Sequence, residues 1–290
     1  METKTLRKPP WLKKRIPPFQ DLQKVKSILD EENLHTVCEE ARCPNLGECF
    51  ARGTSTFLIL GKICTRDCGF CAVEHGMPAQ PDEAEPEKVA QAVKKMNLQY
   101  VVITSVTRDD LSDGGASLFA KTIQTIRTLD SKTKVEVLIP DFQGDPSALE
   151  VVLKDRPDVL NHNIETISRL YPDVRPQADY ERSLHLLKRS KAGHPDVLTK
   201  SGFMLGLGEN RKEVLELLRG LRTVGCDLLT IGQYLQPRPD RLPVVRFVQP
   251  EEFEEYKSIG EEMGFKAVAS SPFVRSSFHA FEMFKTTTLQ

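Results

Sequence analysis

The chain has 290 residues, ample apolar content for a buried core, and a formal net charge of −1. That balance speaks against a polyanion-binding surface, because nucleic-acid binders carry a clear basic excess. No run of about 18 apolar residues occurs, so no membrane span is expected, and no apolar h-region opens the sequence, so secretion is not expected either.

Residues 1–20 read as an extended arm, since Pro9, Pro10, Pro17 and Pro18 forbid regular helix there. A helical pattern follows Asp21, with Val25, Ile28 and Leu29 at i, i+3 and i+4. Residues 38–49 read CEEARCPNLGEC, three cysteines at C-x4-C-x5-C. The first strand-like run, TFLILG (56–61), leads into CTRDCGFC at 64–71, a second trio at C-x3-C-x2-C. Further strand-like runs are YVVITSV (100–106), KVEVLIP (134–140), DVLNHNI (158–164), GFMLGL (202–207), DLLTIGQYL (227–235) and, weakly, KAVAS (266–270). Helical stripes lie between them: Val89, Ala92, Val93 and Met96; Val214, Leu217, Leu218 and Leu221; Phe253, Tyr256, Ile259 and Met263.

Strands alternating with amphipathic helices predict βαβ units and a parallel sheet. A doubly wound sheet and a β/α barrel both carry that alternation. Polar residues gather after several strands: Arg66 and Asp67, Thr107 to Asp109, Asn161 to Glu165, Glu209, Gln233 and Gln236. Many strand ends contributing together favour a barrel mouth over a single crevice. A full eight-unit barrel takes about 250 residues, so six good units and one doubtful one predict an α/β fold with a partial (β/α)6 TIM-type barrel.

Of the seven cysteines, six fall between Cys38 and Cys71, and the seventh is Cys226. An odd count in a chain not expected to be secreted speaks against a disulfide framework and for a reducing compartment, the cytoplasm or an organelle matrix of similar poise. Three soft thiolates suit zinc or an iron–sulfur cluster. A structural zinc closes with four ligands, and a distant histidine could supply the fourth. A [4Fe–4S] cluster on three cysteines instead leaves one iron open to a small molecule.

C-x3-C-x2-C in a loop after the first strand resembles the signature of radical S-adenosylmethionine enzymes. In that family the open iron is chelated by the amino and carboxylate groups of S-adenosylmethionine, and reduction yields a radical that abstracts hydrogen from an unactivated carbon. Phe70 matches the aromatic residue usual beside the last cysteine. With C-x4-C-x5-C upstream, starting the second trio 15 residues after Cys49, the chain resembles the lipoyl synthase family. The resemblance extends through KPPWLKKRIP (8–17), TSVTRDDLSDGGA (104–116), NHNIETISRLYPDVRP (161–176), KSGFMLGLGE (200–209), IGQYLQP (231–237) and PFVRSSFHA (272–280).

The resemblance implies two [4Fe–4S] clusters, a radical-generating one on Cys64, Cys68 and Cys71 and an auxiliary one on Cys38, Cys43 and Cys49. The fourth auxiliary ligand would be a serine oxygen of the RSSY motif, here RSSF, which places it at Ser277 with Phe278 replacing the tyrosine. A hard alkoxide on a soft cluster makes a weak corner, suited to a cluster given up as sulfur donor. The resemblance divides the chain into 1–54 with the auxiliary cysteines, 55–265 as the radical SAM partial barrel, and 266–290 with the RSSF motif. It implies sulfur insertion at C6 and C8 of an octanoyl-lysine on a lipoyl carrier domain, such as a dehydrogenase E2 subunit or the glycine cleavage H protein. Electrons would come from a ferredoxin or flavodoxin. A biotin synthase-like enzyme and a non-enzymatic metal-binding module are the rival readings.

S-Adenosylmethionine further requires partners for its amine, carboxylate, ribose and adenine. Thr104 and Ser105 end the second strand where the family binds the amine, although the GGE triad is absent. Asn163 and Glu165 suit ribose hydroxyls or the amine, and Arg175 could clamp the carboxylate through its fork. Gly206 and Gly208 would let the backbone approach adenine, or simply make a strand-to-helix turn. His162 is placed near the pocket, Cys226 in the core, and Asp109, Asp110 and Asp113 at helix caps or substrate contacts. The basic arm from Lys4 to Arg15, with Trp11, could meet an acidic carrier domain.

Overall fold

A computed structural model describes residues 7–14 and 17–288. The chain forms two compact units, one built of residues 16–67 and 72–161, the other of 68–71 and 162–290 with the described residues of 1–15. Lys4 and Arg15 lie outside the described residues.

The first unit contains α1 (Phe19–Glu31), β1 (His35–Thr36), α2 (Val37–Glu40), α3 (Leu46–Ala51), β2 (Thr56–Ile59), β3 (Ile63–Cys64), β4 (Glu74–His75), α4 (Glu85–Lys95), β5 (Tyr100–Ser105), α5 (Ala116–Leu129), β6 (Lys134–Leu138), α6 (Pro146–Lys154) and β7 (Val159–Asn161). β1 runs antiparallel to β2, and β2, β5, β6 and β7 then pair in parallel succession, with Thr56 opposite Val102, Tyr100 opposite Lys134 and Glu136 opposite Val159. The parallel strands are covered on both faces and therefore read as continuous apolar runs: Phe57, Ile59, Ile103, Val135 and Val137 are all fully buried. α4 presses Val89, Ala92 and Val93 inward, as its stripe predicts. α6 starts on Asp145, whose carboxylate accepts the Ser147 N–H at 2.8 Å, and has Pro146 in its first turn, where no donor is lost.

The second unit contains a 3-10 turn at Pro10–Leu12, α7 (Tyr171–Val174), α8 (Tyr180–Gly193), β8 (Leu198–Leu205), α9 (Arg211–Thr223), β9 (Leu228–Gln233), α10 (Pro250–Glu262), β10 (Ala267–Ser270) and α11 (Ala280–Thr288). β8, β9 and β10 pair in parallel. α9 opens with a capping box, Asn210 and Glu213 satisfying each other's backbone N–H groups. Its Val214, Leu217, Leu218 and Leu221 are buried against Phe203, Leu205 and Phe253, and each such leucine contributes about 1.5–3 kcal/mol.

Several boundaries differ from expectation. β8 begins at Leu198, four residues before GFMLGL, because Thr199, Lys200 and Ser201 are buried polar residues in a core strand. Thr199 bonds to Gly225 and Asp227, and Ser201 Oγ accepts the Ile164 N–H, so their polarity is satisfied inside. The DVLNHNI run leaves β7 after Asn161; Glu165 then rejoins as an isolated parallel bridge to Phe203. β10 lies just past the proposed 265/266 boundary yet continues the parallel ladder on β9. The arm is not wholly extended, since Pro10–Leu12 closes one 3-10 turn that buries Leu12. Among the described residues no helix is long and apolar enough to cross a membrane.

Candidate functional site

The upstream trio is built on two short helices. Cys38 sits in α2, capped by Thr36, whose hydroxyl oxygen accepts the Glu39 N–H. Cys49 sits in α3, and Cys43 lies in the intervening turn, donating its N–H to Cys38 O at 3.0 Å. Burial pushes the Cys38 thiol up to about 12, the charges of Cys43 and Cys49 push the same way, and Thr56 opposes them. A thiol held up in this way gives up its proton when a cationic centre binds beside its sulfur. None of the seven cysteines is in a disulfide.

The second trio straddles a sharp loop. Cys64 ends β3, and its sulfur accepts two backbone N–H groups, from Arg66 at 3.4 Å and Thr107 at 3.3 Å. Thr65 ties the loop to the end of β5 by donating its N–H and its hydroxyl to Thr107 O while accepting the Asp109 N–H. Arg66 is buried and grips Asp109 at 2.6 and 2.9 Å and Asp141 at 2.7 Å. Burial opposes its charge, yet the two carboxylates outweigh burial and push the guanidinium above its ordinary value. The turn before the loop is held by buried Glu85, which accepts the Leu60 N–H at 2.7 Å.

In the other unit, Cys71 N–H donates to Cys68 O, Gly69 N–H to Val174 O, and Leu242 N–H to Gly69 O. A Cβ on Gly69 would stand 2.7 Å from Asp173 O and 2.9 Å from Leu242, so only glycine fits between the two cysteines there. Phe70 packs against that unit's apolar core. Backbone donors aimed at the Cys64 sulfur, and three soft sulfur ligands in the trio, fit an iron–sulfur group. Among the described residues, no three histidine, cysteine or carboxylate side chains converge as tightly as a single metal ion requires.

The residues expected around S-adenosylmethionine divide by what they already hold. Thr104 gives its hydroxyl to Leu138 O within the sheet, whereas the buried Ser105 Oγ has no partner among the described residues. Asn163 Nδ2 donates to Glu165 at 2.9 Å, and Asn163 O accepts from Arg175. Arg175 is buried and also bonds the Tyr171 hydroxyl, so it is no surface ion-pair residue. Burial raises the Glu165 carboxyl above its usual range, with Arg175, Asn163 and Arg275 pulling it back; a cationic ligand group would pull the same way. Gly206, at φ +101°, makes its close approach to the chain itself: a Cβ would meet Gln233 Nε2 at 2.2 Å and Arg246 O at 2.6 Å. Its N–H and that of Leu207 both donate to Glu209. Gly208, at φ +111°, is less crowded: a Cβ there would meet only Val245 Cγ2, at 3.8 Å.

His162 is buried against Ser183 Oγ at 3.1 Å and serves the core of its own unit. Cys226 is a buried small residue, as expected, with burial pushing its thiol up to about 12. Asp113 caps the approach to α5, while Asp109 and Asp110 hold Arg66 and Arg108. Asp141 and Glu85 escaped the sequence reading. The only available signal was an acidic residue just beyond an apolar run, in IPD, and one opening a helix.

At the RSSF turn, Ser276 donates its hydroxyl to Asn163 Oδ1 at 2.8 Å, and Ser277 makes no side-chain hydrogen bond among the described residues. The two adjacent serines are thus distinguished by the structure: one is committed, the other available.

Residues 58–221, more than half of the chain, match the profile of the radical SAM superfamily. The folds of HydG, a maturase of the [FeFe]-hydrogenase, and of Streptococcus suis SuiB bound to S-adenosylmethionine superpose with a TM-score of 0.58 each. HydG is 15% identical, covering 86% of this chain and 64% of its own, and SuiB 13% identical, covering 78% and 54%. The chain belongs to this superfamily and has its partial β/α barrel. Residues 1–43 match the N-terminal domain of lipoyl synthase of the radical SAM family. A lipoyl synthase of Caldicellulosiruptor saccharolyticus is 55% identical over 285 residues, 98% of this chain and 99% of its own. Another, of Rubrobacter xylanophilus, is 56% identical over 275 residues, 95% of this chain and 86% of its own. The chain therefore belongs to the lipoyl synthase family and is a radical SAM sulfur-inserting enzyme.

Proposed function

We propose that this enzyme carries two four-iron, four-sulfide clusters, one on Cys64, Cys68 and Cys71 and one on Cys38, Cys43, Cys49 and Ser277. Its substrate would be an octanoyl-lysine on a lipoyl carrier domain, converted at C6 and C8, with a ferredoxin or flavodoxin as electron donor and the cytoplasm as its compartment. When bound, the first cluster with S-adenosylmethionine supplies hydrogen abstraction, and the second supplies sulfur.

The chain's own residues do the rest. Arg66, Thr65 and Thr107 fix Cys64, and the two N–H groups on its sulfur stabilise thiolate charge, the kind of contact that tunes a cluster's potential. Ser105, with its unused hydroxyl, and, in the other unit, Glu165, with its desolvated carboxyl, are each suited to accept from an ammonium group or ribose hydroxyls. Arg175 holds Asn163 and its charge draws that carboxyl down, which suits it to orient a ligand carboxylate. Gly206 belongs to the turn itself, which leaves Gly208 as the glycine suited to a close backbone approach by adenine.

The observation that carries this reading is six cysteines outside any disulfide, spaced as two trios, with Ser277 left uncommitted beside a committed Ser276. Anaerobic reconstitution should yield about eight irons with matching sulfide per chain. Turnover with an octanoyl-lysine peptide, reductant and S-adenosylmethionine should give 5′-deoxyadenosine and a dithiol product. Stoichiometric zinc, or a fully loaded protein that yields neither product, would overturn it.

A further inference from the structure

We propose that Lys14 is a positioning residue that pins the turn presenting Ser277; the inference rests on the proposed ligand role of that serine. Lys14 lies in the N-terminal arm, in the same unit as the RSSF turn, two residues after the buried anchor Leu12. Its ammonium stands 4.7 Å from the ring centre of Phe273 and 4.9 Å from that of Phe278. Both distances fall inside the range in which a cation is drawn to an aromatic face. One side chain therefore bridges the two rings that flank Arg275–Ser276–Ser277.

The rest of the turn shows why such a bridge has something to hold. Ser276 is fixed to Asn163, and Arg275 folds back on the carbonyl of Val274 at 2.6 Å. Phe278 N–H closes the turn on Arg275 O at 3.0 Å. Beyond that point His279 adopts φ +55°, a left-handed conformation that a non-glycine residue holds only under constraint. The His279 ring lies 4.1 Å from the Phe278 ring. Phe278 is thus a fixed point directly after Ser277, held at its backbone by Arg275 O and at its ring by Lys14, while the Ala280 N–H donates to Ser277 O at 3.4 Å. A phenyl ring has no hydroxyl with which to anchor itself, so its position depends on what meets its face. Lys14 meets it. The arm, by this account, is no passive wrapping: it sets the position of the hydroxyl that completes the upstream trio.

The test uses the full chain with Lys14→Gln, Lys14→Arg and Phe278→Leu. Amide hydrogen exchange of metal-free protein should show the Phe278 N–H exchanging about tenfold faster in Lys14→Gln and Phe278→Leu, with β9 amides unchanged, and parental exchange in Lys14→Arg. After reconstitution, Lys14→Gln should fall from about eight irons per chain toward about four, and Lys14→Arg should recover them. Parental exchange in Lys14→Gln overturns the pin. The ligand reading fails separately, if Ser277→Ala keeps all irons and an unaltered cluster spectrum while the exchange result stands.

Discussion

Replacing Arg66 by methionine tests the cysteine loop most directly, because it removes the guanidinium while keeping most of the side chain's length. Arg66 is 5% exposed and Asp141 1% exposed, so their 2.7 Å contact is shielded from solvent. The Asp109 side chain is 28% exposed and contributes less, despite contacts at 2.6 and 2.9 Å. Losing the cation leaves the buried Asp141 carboxylate without its charge partner, although the Gln143 N–H at 3.1 Å remains. Breaking a buried pair from one side costs about 3–5 kcal/mol, and the exposed Asp109 arm adds at most about 1 kcal/mol. Equilibrium urea unfolding of the full chain should therefore show a loss of about 3–5 kcal/mol for Arg66→Met. The double variant Arg66→Met with Asp141→Asn should recover part of it, since a neutral amide is cheaper to bury than a charge. A loss under about 1 kcal/mol, or strict additivity in the double variant, would refute the shielding argument.

Four further outcomes follow from particular contacts. Gly206→Ala should destabilise strongly, because the new methyl group meets Gln233 and Arg246 at a backbone φ of +101°; a melting temperature unchanged from the parent would contradict this. Leu217→Ala in α9, at 2% exposure, should cost about 2–5 kcal/mol in denaturant unfolding. Gly69→Ala should lower iron uptake by the C-x3-C-x2-C loop more than overall stability, read by iron content beside a thermal melt, because the methyl would push on Asp173 O. Asp227 supplies a pH prediction. Burial raises its carboxyl, but bonds from Lys191 at 2.8 Å, the Thr199 N–H at 3.0 Å and Lys266 at 3.1 Å outweigh burial, leaving it below its ordinary 3.8. A depressed folded-state value stabilises fully above the unfolded value and is lost as pH falls through the folded one. Stability measured from pH 5 down to about 2 should fall more steeply for the parent than for Asp227→Asn, and parallel acid limbs would contradict the assignment.

The elements most legible in the sequence were those in which one physical requirement dominates. Runs such as FLIL and VVIT must be apolar because both faces of a parallel strand are covered, and the stripe Val214, Leu217, Leu218 and Leu221 must repeat because one helix face is buried. The start of β8 was hidden because Thr199, Lys200 and Ser201 look like a loop until their partners are known: Thr199 bonds Gly225 and Asp227, 26 and 28 residues away, and Ser201 accepts from Ile164, 37 residues away. Arg66 and Asp141 are separated by 75 residues, so no local pattern announces them.

The candidate site divides along the same line. Thiol spacing is local, and it exposed both trios. What completes each trio is not local. The choice of Ser277 over Ser276 came from resemblance alone; in the structure Ser276 bonds Asn163, 113 residues distant in sequence, a contact no local pattern announces. Asn163 in turn donates to Glu165 and accepts from Arg175. The same asparagine that orders the residues expected around S-adenosylmethionine thus also decides which serine is left uncommitted. Moving Asn163 should therefore disturb both functions together, and Asn163→Ala measured for ligand binding and for iron content would separate this shared role from two independent ones.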